Sequence, residues 1–258
     1  MSEDLTEPVD LRPRLEAEGS RRRRWPWAVL GLLVVIALAG ITAASPVLDV
    51  DRIVVEGAKR TPVDEVRARS GLRTGESMLA VPTGAAADRV EELPWVRSVT
   101  VRRDWPGRVV VEVDEREPVA AFAGAGRWLL VDEDGRRLAL ARTPPAGAVT
   151  IEGVGASGDP GTRVDDRAAG AVEVSRRLPP ALRMRLPRVQ VDPDGRLEVA
   201  LRVEEERDAV AILGRPEQLR DKLLSLATVL ESVDLRGLSR IDLRIPGAPV
   251  LTRVASGP

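Results

Sequence analysis

Val99-Thr100-Val101-Arg102-Arg103-Asp104-Trp105-Pro106-Gly107-Arg108-Val109-Val110-Val111-Glu112-Val113 is the stretch that organises the chain. Val99 and Val101 alternate with Thr100 and Arg102. Asp104 to Gly107 supply a turn, and Val109, Val111 and Val113 then alternate again. A period of two on both sides of a Pro-Gly turn reads as a β-hairpin. Working toward the N-terminus, Thr83 to about Leu93 reads as a helix closed by Pro94. Thr61-Pro62-Val63-Asp64 opens an earlier helix, with Thr61 as N-cap and a proline at the first helical position, and Gly71 suits its left-handed C-terminus. Val50, Ile53, Val54 and Val55 form a strand stopped by Gly57. The order is strand, helix, helix, strand, strand, over 47–117. In this phase Val111 faces the core.

Downstream, 118–254 reads as a mostly β module. Trp128 to Val131 runs into Asp132-Glu133-Asp134-Gly135, and Arg188 to Val191 into Asp192-Pro193-Asp194-Gly195. Leu197, Val199, Leu201 and Val203 alternate with polar residues or alanine. Helices are expected near Asp165 to Leu178 and Pro216 to Glu231. Ile241, Leu243 and Ile245 read as a final strand, with Val250 to Val254 as a candidate extension of the sheet. Pro246, Gly247 and Pro249 interrupt that segment, and proline is tolerated mainly at sheet edges, so an exposed edge is expected here.

Upstream, Arg21, Arg22, Arg23 and Arg24 precede 24 uncharged residues, Trp25 to Leu48. At about 1.5 Å per residue such a run can cross a hydrocarbon core of about 30 Å, with Trp25 and Trp27 at headgroup level. The arginine block predicts a cytoplasmic tail (1–24), a membrane helix (25–46) and an exported body. Thr42-Ala43-Ala44 resembles a signal-peptidase site. However, the apolar run exceeds the roughly 7–15 residues of a signal h-region, which favours a retained anchor. Residues 255–258 form a short tail.

Composition excludes much chemistry. The chain has no cysteine and no histidine, which removes disulfides, thiolate nucleophiles and the commonest general base and metal ligand. Net charge is −1 and the tail is balanced, so the exported part has no excess of cations for nucleic acid. Asp132 to Gly135 begins like a calcium loop, but Arg136 and Arg137 stand where further oxygen ligands are needed, so the segment reads as a turn of solvated carboxylates. Asp192 to Gly195 reads the same way. Lys222 and Ser225 lie three apart on one helix among Leu223, Leu224 and Leu226, which suits a structural lysine better than a Ser–Lys dyad. Glu204, Glu205 and Glu206 read as a solvated turn. No catalytic group, metal, cofactor or small-molecule substrate is expected.

These residues resemble the bacterial cell-division family FtsQ, called DivIB in Gram-positive organisms. The likeness rests on Pro94-Trp95-Val96, Arg103-Asp104-Trp105-Pro106, Val111-Glu112-Val113, Glu115 to Ala120, Val131-Asp132 with Gly135, Lys222 in its helix, and Ile241-Asp242-Leu243-Arg244. It departs at Ile245, where some relatives carry an aromatic, and in the short tail Pro246 to Pro258. The resemblance implies an α+β architecture: one transmembrane helix, a POTRA domain (β-α-α-β-β), and a mostly antiparallel β domain with flanking helices. It further implies a non-enzymatic divisome scaffold, single-pass in the cytoplasmic membrane at the septum. Its implied partners are the bitopic proteins FtsB (DivIC) and FtsL and the synthases FtsW and FtsI. The closing strand is the expected docking edge for an FtsB-like partner, with Arg244, Ile245, Ala248, Val250 and Leu251 in contact. The alternative, a POTRA-bearing transport or outer-membrane assembly factor, requires a barrel for which the chain has no room. An exported hydrolase is disfavoured by the missing His and Cys.

Overall fold

The computed structural model describes residues 25–43, 48–204 and 207–254. Arg21 to Arg24, Glu205, Glu206 and 255–258 therefore lie outside the described residues. α1 (Trp25–Ala43) is the first element, uncharged throughout. Its 19 residues rise about 28 Å, slightly less than a hydrocarbon core of about 30 Å. Among the described residues no helix is long and apolar enough to cross a membrane. Of the expected span 25–46, Trp25–Ala43 is helical, and 44–46 lie outside the described residues.

The first domain follows the hairpin reading. β1 (Arg52–Glu56), α2 (Val63–Ser70), α3 (Thr83–Glu91), β2 (Val96–Asp104) and β3 (Arg108–Glu115) appear in that order. β3 is central, parallel to β1 and antiparallel to β2. Val111 pairs with Val55 on one side and Val101 on the other, and it is fully buried beside Met78, Ala86 and Val90. Gly71 ends α2 in the left-handed conformation, as expected. The start of α2 differs from the sequence reading. Pro62 takes the cap position, one residue later than expected, and no side chain caps the helix. The N–H groups of Arg60 and Thr61 donate to the Glu115 carboxylate, at 2.9 and 2.7 Å to one oxygen, which ties the end of β3 to the turn before α2.

Burial alone would raise the Glu115 pKa, but the donated N–H groups of Thr61 and Arg60 outweigh it and hold the group below its usual value. A carboxylate with a depressed folded pKa stabilises the fold above its unfolded pKa, and that contribution is lost as pH falls through the folded one. Acidification from about pH 5 to pH 3 should therefore lower the melting temperature of the native chain more than that of Glu115→Gln. Equal slopes for the two proteins would exclude Glu115 as the linked group.

The second domain is built on one sheet. β4 (Pro118–Gly124), β5 (Arg127–Asp132), β6 (Arg137–Ala141), β7 (Val149–Glu152), α4 (Asp166–Arg177), α5 (Pro180–Arg183), β8 (Arg188–Val191), β9 (Leu197–Glu204), β10 (Arg207–Gly214), α6 (Leu219–Ser232), β11 (Leu238–Asp242) and β12 (Val250–Arg253) follow in sequence. Among the described residues the strand order is β12-β11-β10-β9-β8-β7-β4-β5-β6, an open sheet with free edges at β12 and β6. Five of its eight pairings are antiparallel, while β4–β7, β7–β8 and β10–β11 run parallel. α4 and α6 cover one face, where Phe122, Leu129, Ile151, Leu197, Leu226 and Ile241 form the core. An open sheet is not the closed barrel that the transport alternative requires.

The closing strand departs from the sequence reading. β11 ends at Asp242, so Leu243 is buried past the strand end and Ile245 lies exposed in the following turn. Pro246 and Gly247, with Gly247 at φ 76°, interrupt the segment as expected, and the chain turns back there to form a separate antiparallel β12.

Candidate protein-docking edge

β12 lies at the end of the sheet, paired antiparallel to β11 through Asp242–Val250, Ile241–Leu251, Arg240–Thr252 and Leu238–Arg253. No described strand pairs with its outer side. All four of its residues are exposed, and Val254 continues the apolar character just beyond. Such an edge presents unpaired N–H and C=O groups together with apolar side chains.

Beside it, Asp242, Arg244, Ile245, Ala248 and Val250 line an open concavity of about 370 Å³. Four of the five residues expected at the docking site thus meet at one place. Leu251, the fifth, sits on β12 opposite Ile241.

Several elements position this concavity. Gly214 ends β10 at φ 67°, and a Cβ there would meet the Arg244 stem at 3.0 Å, so the arginine lies across a glycine platform. Lys222 on α6 is buried and donates to the Arg215 carbonyl at 2.7 Å, holding the loop after β10 to the helix. Burial pushes its pKa down, with Glu217 opposing weakly. The Ser225 hydroxyl accepts the Gly247 N–H at 3.1 Å, tying the turn before β12 to α6. Lys222 and Ser225 therefore hold two different loops in place, which is the structural role expected for the lysine.

Arg244 differs from the expectation in one respect. Its guanidinium already pairs with Asp242, with Nη2 at 2.6 Å from one carboxylate oxygen and Nε at 3.0 Å from both. The Arg244 side-chain hydrogen bonds, first among the causes, hold Asp242 below the usual carboxylate range, and Asp242 in turn raises Arg244. An incoming carboxylate must share the guanidinium with Asp242. The sequence carried a local signal for this pair: an aspartate side chain commonly accepts the N–H two residues on, and the Arg244 N–H donates to Asp242 at 3.1 Å.

A second polar assembly lies at the joint between the domains. Arg116 sits between β3 and β4. Its backbone N–H donates to the Trp95 carbonyl and its Nε to the Val96 carbonyl. Its Nη1 reaches Asp132 at 2.5 Å and Asp134 at 2.9 Å. Asp132 is 0% exposed and also accepts N–H groups from Asp134 and Arg136. This corrects the reading of solvated carboxylates: the turn is as expected, but the first domain closes over its leading aspartate. Asp192 forms the same turn with the N–H groups of Asp194 and Arg196 and stays partly exposed, with Arg196 of its own turn as its ion-pair partner. Among the described residues no cluster of carboxylates could hold a metal ion.

Comparison with known proteins agrees with this architecture. The family model described as "POTRA domain, FtsQ-type" matches residues 48–116, and "Cell division protein FtsQ/DivIB, C-terminal" matches residues 120–244. The chain belongs to the FtsQ/DivIB family. Among curated FtsQ/DivIB relatives, the cell division protein FtsQ of Corynebacterium glutamicum is 34% identical over 205 residues, covering 79% of this chain and 89% of that protein. FtsQ of Streptomyces collinus is 28% identical over 246 residues, covering 92% and 91%. The solved major extracytoplasmic domain of DivIB from Geobacillus stearothermophilus covers 48% of this chain and 98% of its own at 19% identity. Its TM-score of 0.33 is too low to carry an argument. The FtsQ/DivIB C-terminal match ends at Arg244, so β12 and its apolar side chains lie just beyond it.

Proposed function

We propose that the chain is a non-enzymatic divisome scaffold, anchored in the cytoplasmic membrane by residues 25–46, with its N-terminus inside and both folded domains outside. The arginine block before an uncharged run of 24 residues supports this orientation. The scaffold docks an FtsB/DivIC-type partner and, with it, an FtsL-type partner at the septum, and thereby helps recruit and control the FtsW and FtsI synthases. It acts by binding and turns over no substrate.

The observation that carries the docking reading is β12, a free and apolar sheet edge beside a concavity lined by Arg244. A partner strand added there gains main-chain hydrogen bonds, while alternate side chains select its sequence. Val250, Leu251 and Ile245 supply apolar contact and Ala248 leaves room for a partner side chain. Arg244 offers a planar fork to a partner carboxylate.

Deleting Gly247 to Pro258 should weaken binding of a purified FtsB-type partner at least tenfold, about 1.4 kcal/mol, with the melting of the rest of the fold preserved. Unchanged binding at unchanged stability would sink the docking reading. Arg244→Glu should weaken binding in the same assay and be rescued by reversing the charge of a partner acid.

A further inference from the structure

Two exposed apolar side chains of the POTRA domain flank the point where the uncharged run enters the fold. That run ends at Leu48, and the chain is woven into the domain from that residue onward. The Met78 N–H donates to the Leu48 carbonyl at 2.8 Å, and the Val50 N–H to the Glu76 carbonyl at 2.8 Å. On the other side, the N–H groups of Asp51 and Arg52 both donate to the Gly107 carbonyl, at 2.7 and 3.2 Å. The first contact holds Leu79, which is 58% exposed, and the second holds Trp105 at the hairpin tip, 49% exposed. Val63 is the one other exposed large apolar side chain among the described residues of this domain.

Chain length then fixes the distance to a membrane. Asp51 is three residues from Leu48, at most about 11 Å of chain, and Leu48 is five residues from the end of α1. If the uncharged run crosses the bilayer, the hairpin tip and Leu79 are held at its outer surface. The concavity at the tip, about 400 Å³, mixes Asp51 and Asp104 with Arg52 and Arg108. Asp104 and Arg108 are ion-paired, so no single sign of charge prevails there. A bilayer meeting this site would find no surplus of cations for anionic headgroups, so an attraction there rests on the apolar side chains. Tryptophan favours the interfacial zone of a bilayer because its ring is apolar and its N–H polar.

We propose that Trp105 at the hairpin tip and Leu79 on the other side of the entering chain seat in the outer interfacial layer of the membrane, so that the POTRA domain stands on the bilayer in a defined orientation. This rests on the anchor reading of residues 25–46.

The native chain has no cysteine, so single cysteines accept a unique fluorophore. Leu79→Cys, Leu33→Cys and Met184→Cys would be labelled with bimane in the full chain and reconstituted into phosphatidylcholine vesicles carrying nitroxide-labelled lipids. Leu33 reports the anchor, and Met184, exposed in the β domain, serves as the distant control. The expected result is at least twofold stronger quenching at position 79 by a shallow nitroxide than at position 184, falling toward the control when Trp105→Ser is added. Deep quenching at 33 with equal quenching at 79 and 184 overturns the membrane seat and leaves the anchor standing. No quenching at 33 overturns both. Insensitivity of position 79 to Trp105→Ser overturns the role of the tryptophan. Adding anionic phosphatidylglycerol should change the quenching less than twofold, and a larger rise would overturn the apolar account.

Discussion

Val111→Asp should abolish protection of the POTRA domain while the β domain stays folded. Val111 is fully buried at the centre of β3, between Val55 and Val101. A carboxylate there finds no cation and no donor within the apolar cluster around it. Burying it unpaired, or protonating it to avoid the charge, costs several kcal/mol. A domain of about 70 residues is stable by only about 4–10 kcal/mol at typical values per residue, so most of its margin disappears. Hydrogen exchange read by mass spectrometry should show fast exchange across 48–116 and near-native protection in β7 to β10. Native protection throughout both domains would mean that Val111 does not face the core.

Asp132→Ala should be the most damaging single change at the joint. It leaves the Arg116 guanidinium and the N–H groups of Asp134 and Arg136 without their buried acceptor. Removing one member of a buried pair costs about 3–5 kcal/mol. Arg116 is 15% exposed and keeps Asp134, which places the cost near the lower end, about 3 kcal/mol. For two folded domains of this combined size that corresponds to about 6–12 °C in melting temperature. Asp132→Asn keeps an acceptor for the two N–H groups and loses the ion pair, so its loss should be smaller. A calorimetric shift below about 2 °C for the alanine variant would show that the pair does not hold the joint.

Local order was legible because it follows from short-range rules. The hairpin, the left-handed Gly71 and the limits of α4 and β8 depend on period, proline and glycine within a few residues. Thr61 lies one residue before the cap, and its backbone N–H is tied to Glu115, 54 residues away, a partner that no local pattern names. Asp132 was misread as solvated because the cover comes from Arg116 and the first domain. Asp192, with the same local turn, lacks that cover and keeps part of its surface in solvent.

The docking edge shows the same division. Pro246, Gly247 and Pro249 pointed to an edge, since proline cannot serve a central strand. Which residues lie on that edge depended on the chain turning back at Gly247, which ended β11 at Asp242 and left Ile245 in a turn.

By itself, the sequence determined the element order, the phase of the buried valines, the family, and the charge asymmetry before the uncharged run. These are one-dimensional properties, carried by alternation, spacing and composition. Only the tertiary structure decided that β12 is the outermost strand, that the Arg244 stem lies over Gly214, and that Arg116 closes over Asp132. Each of these depends on which distant segments become neighbours. That is set by the burial of whole faces of the sheet, and no local pattern of residues encodes it.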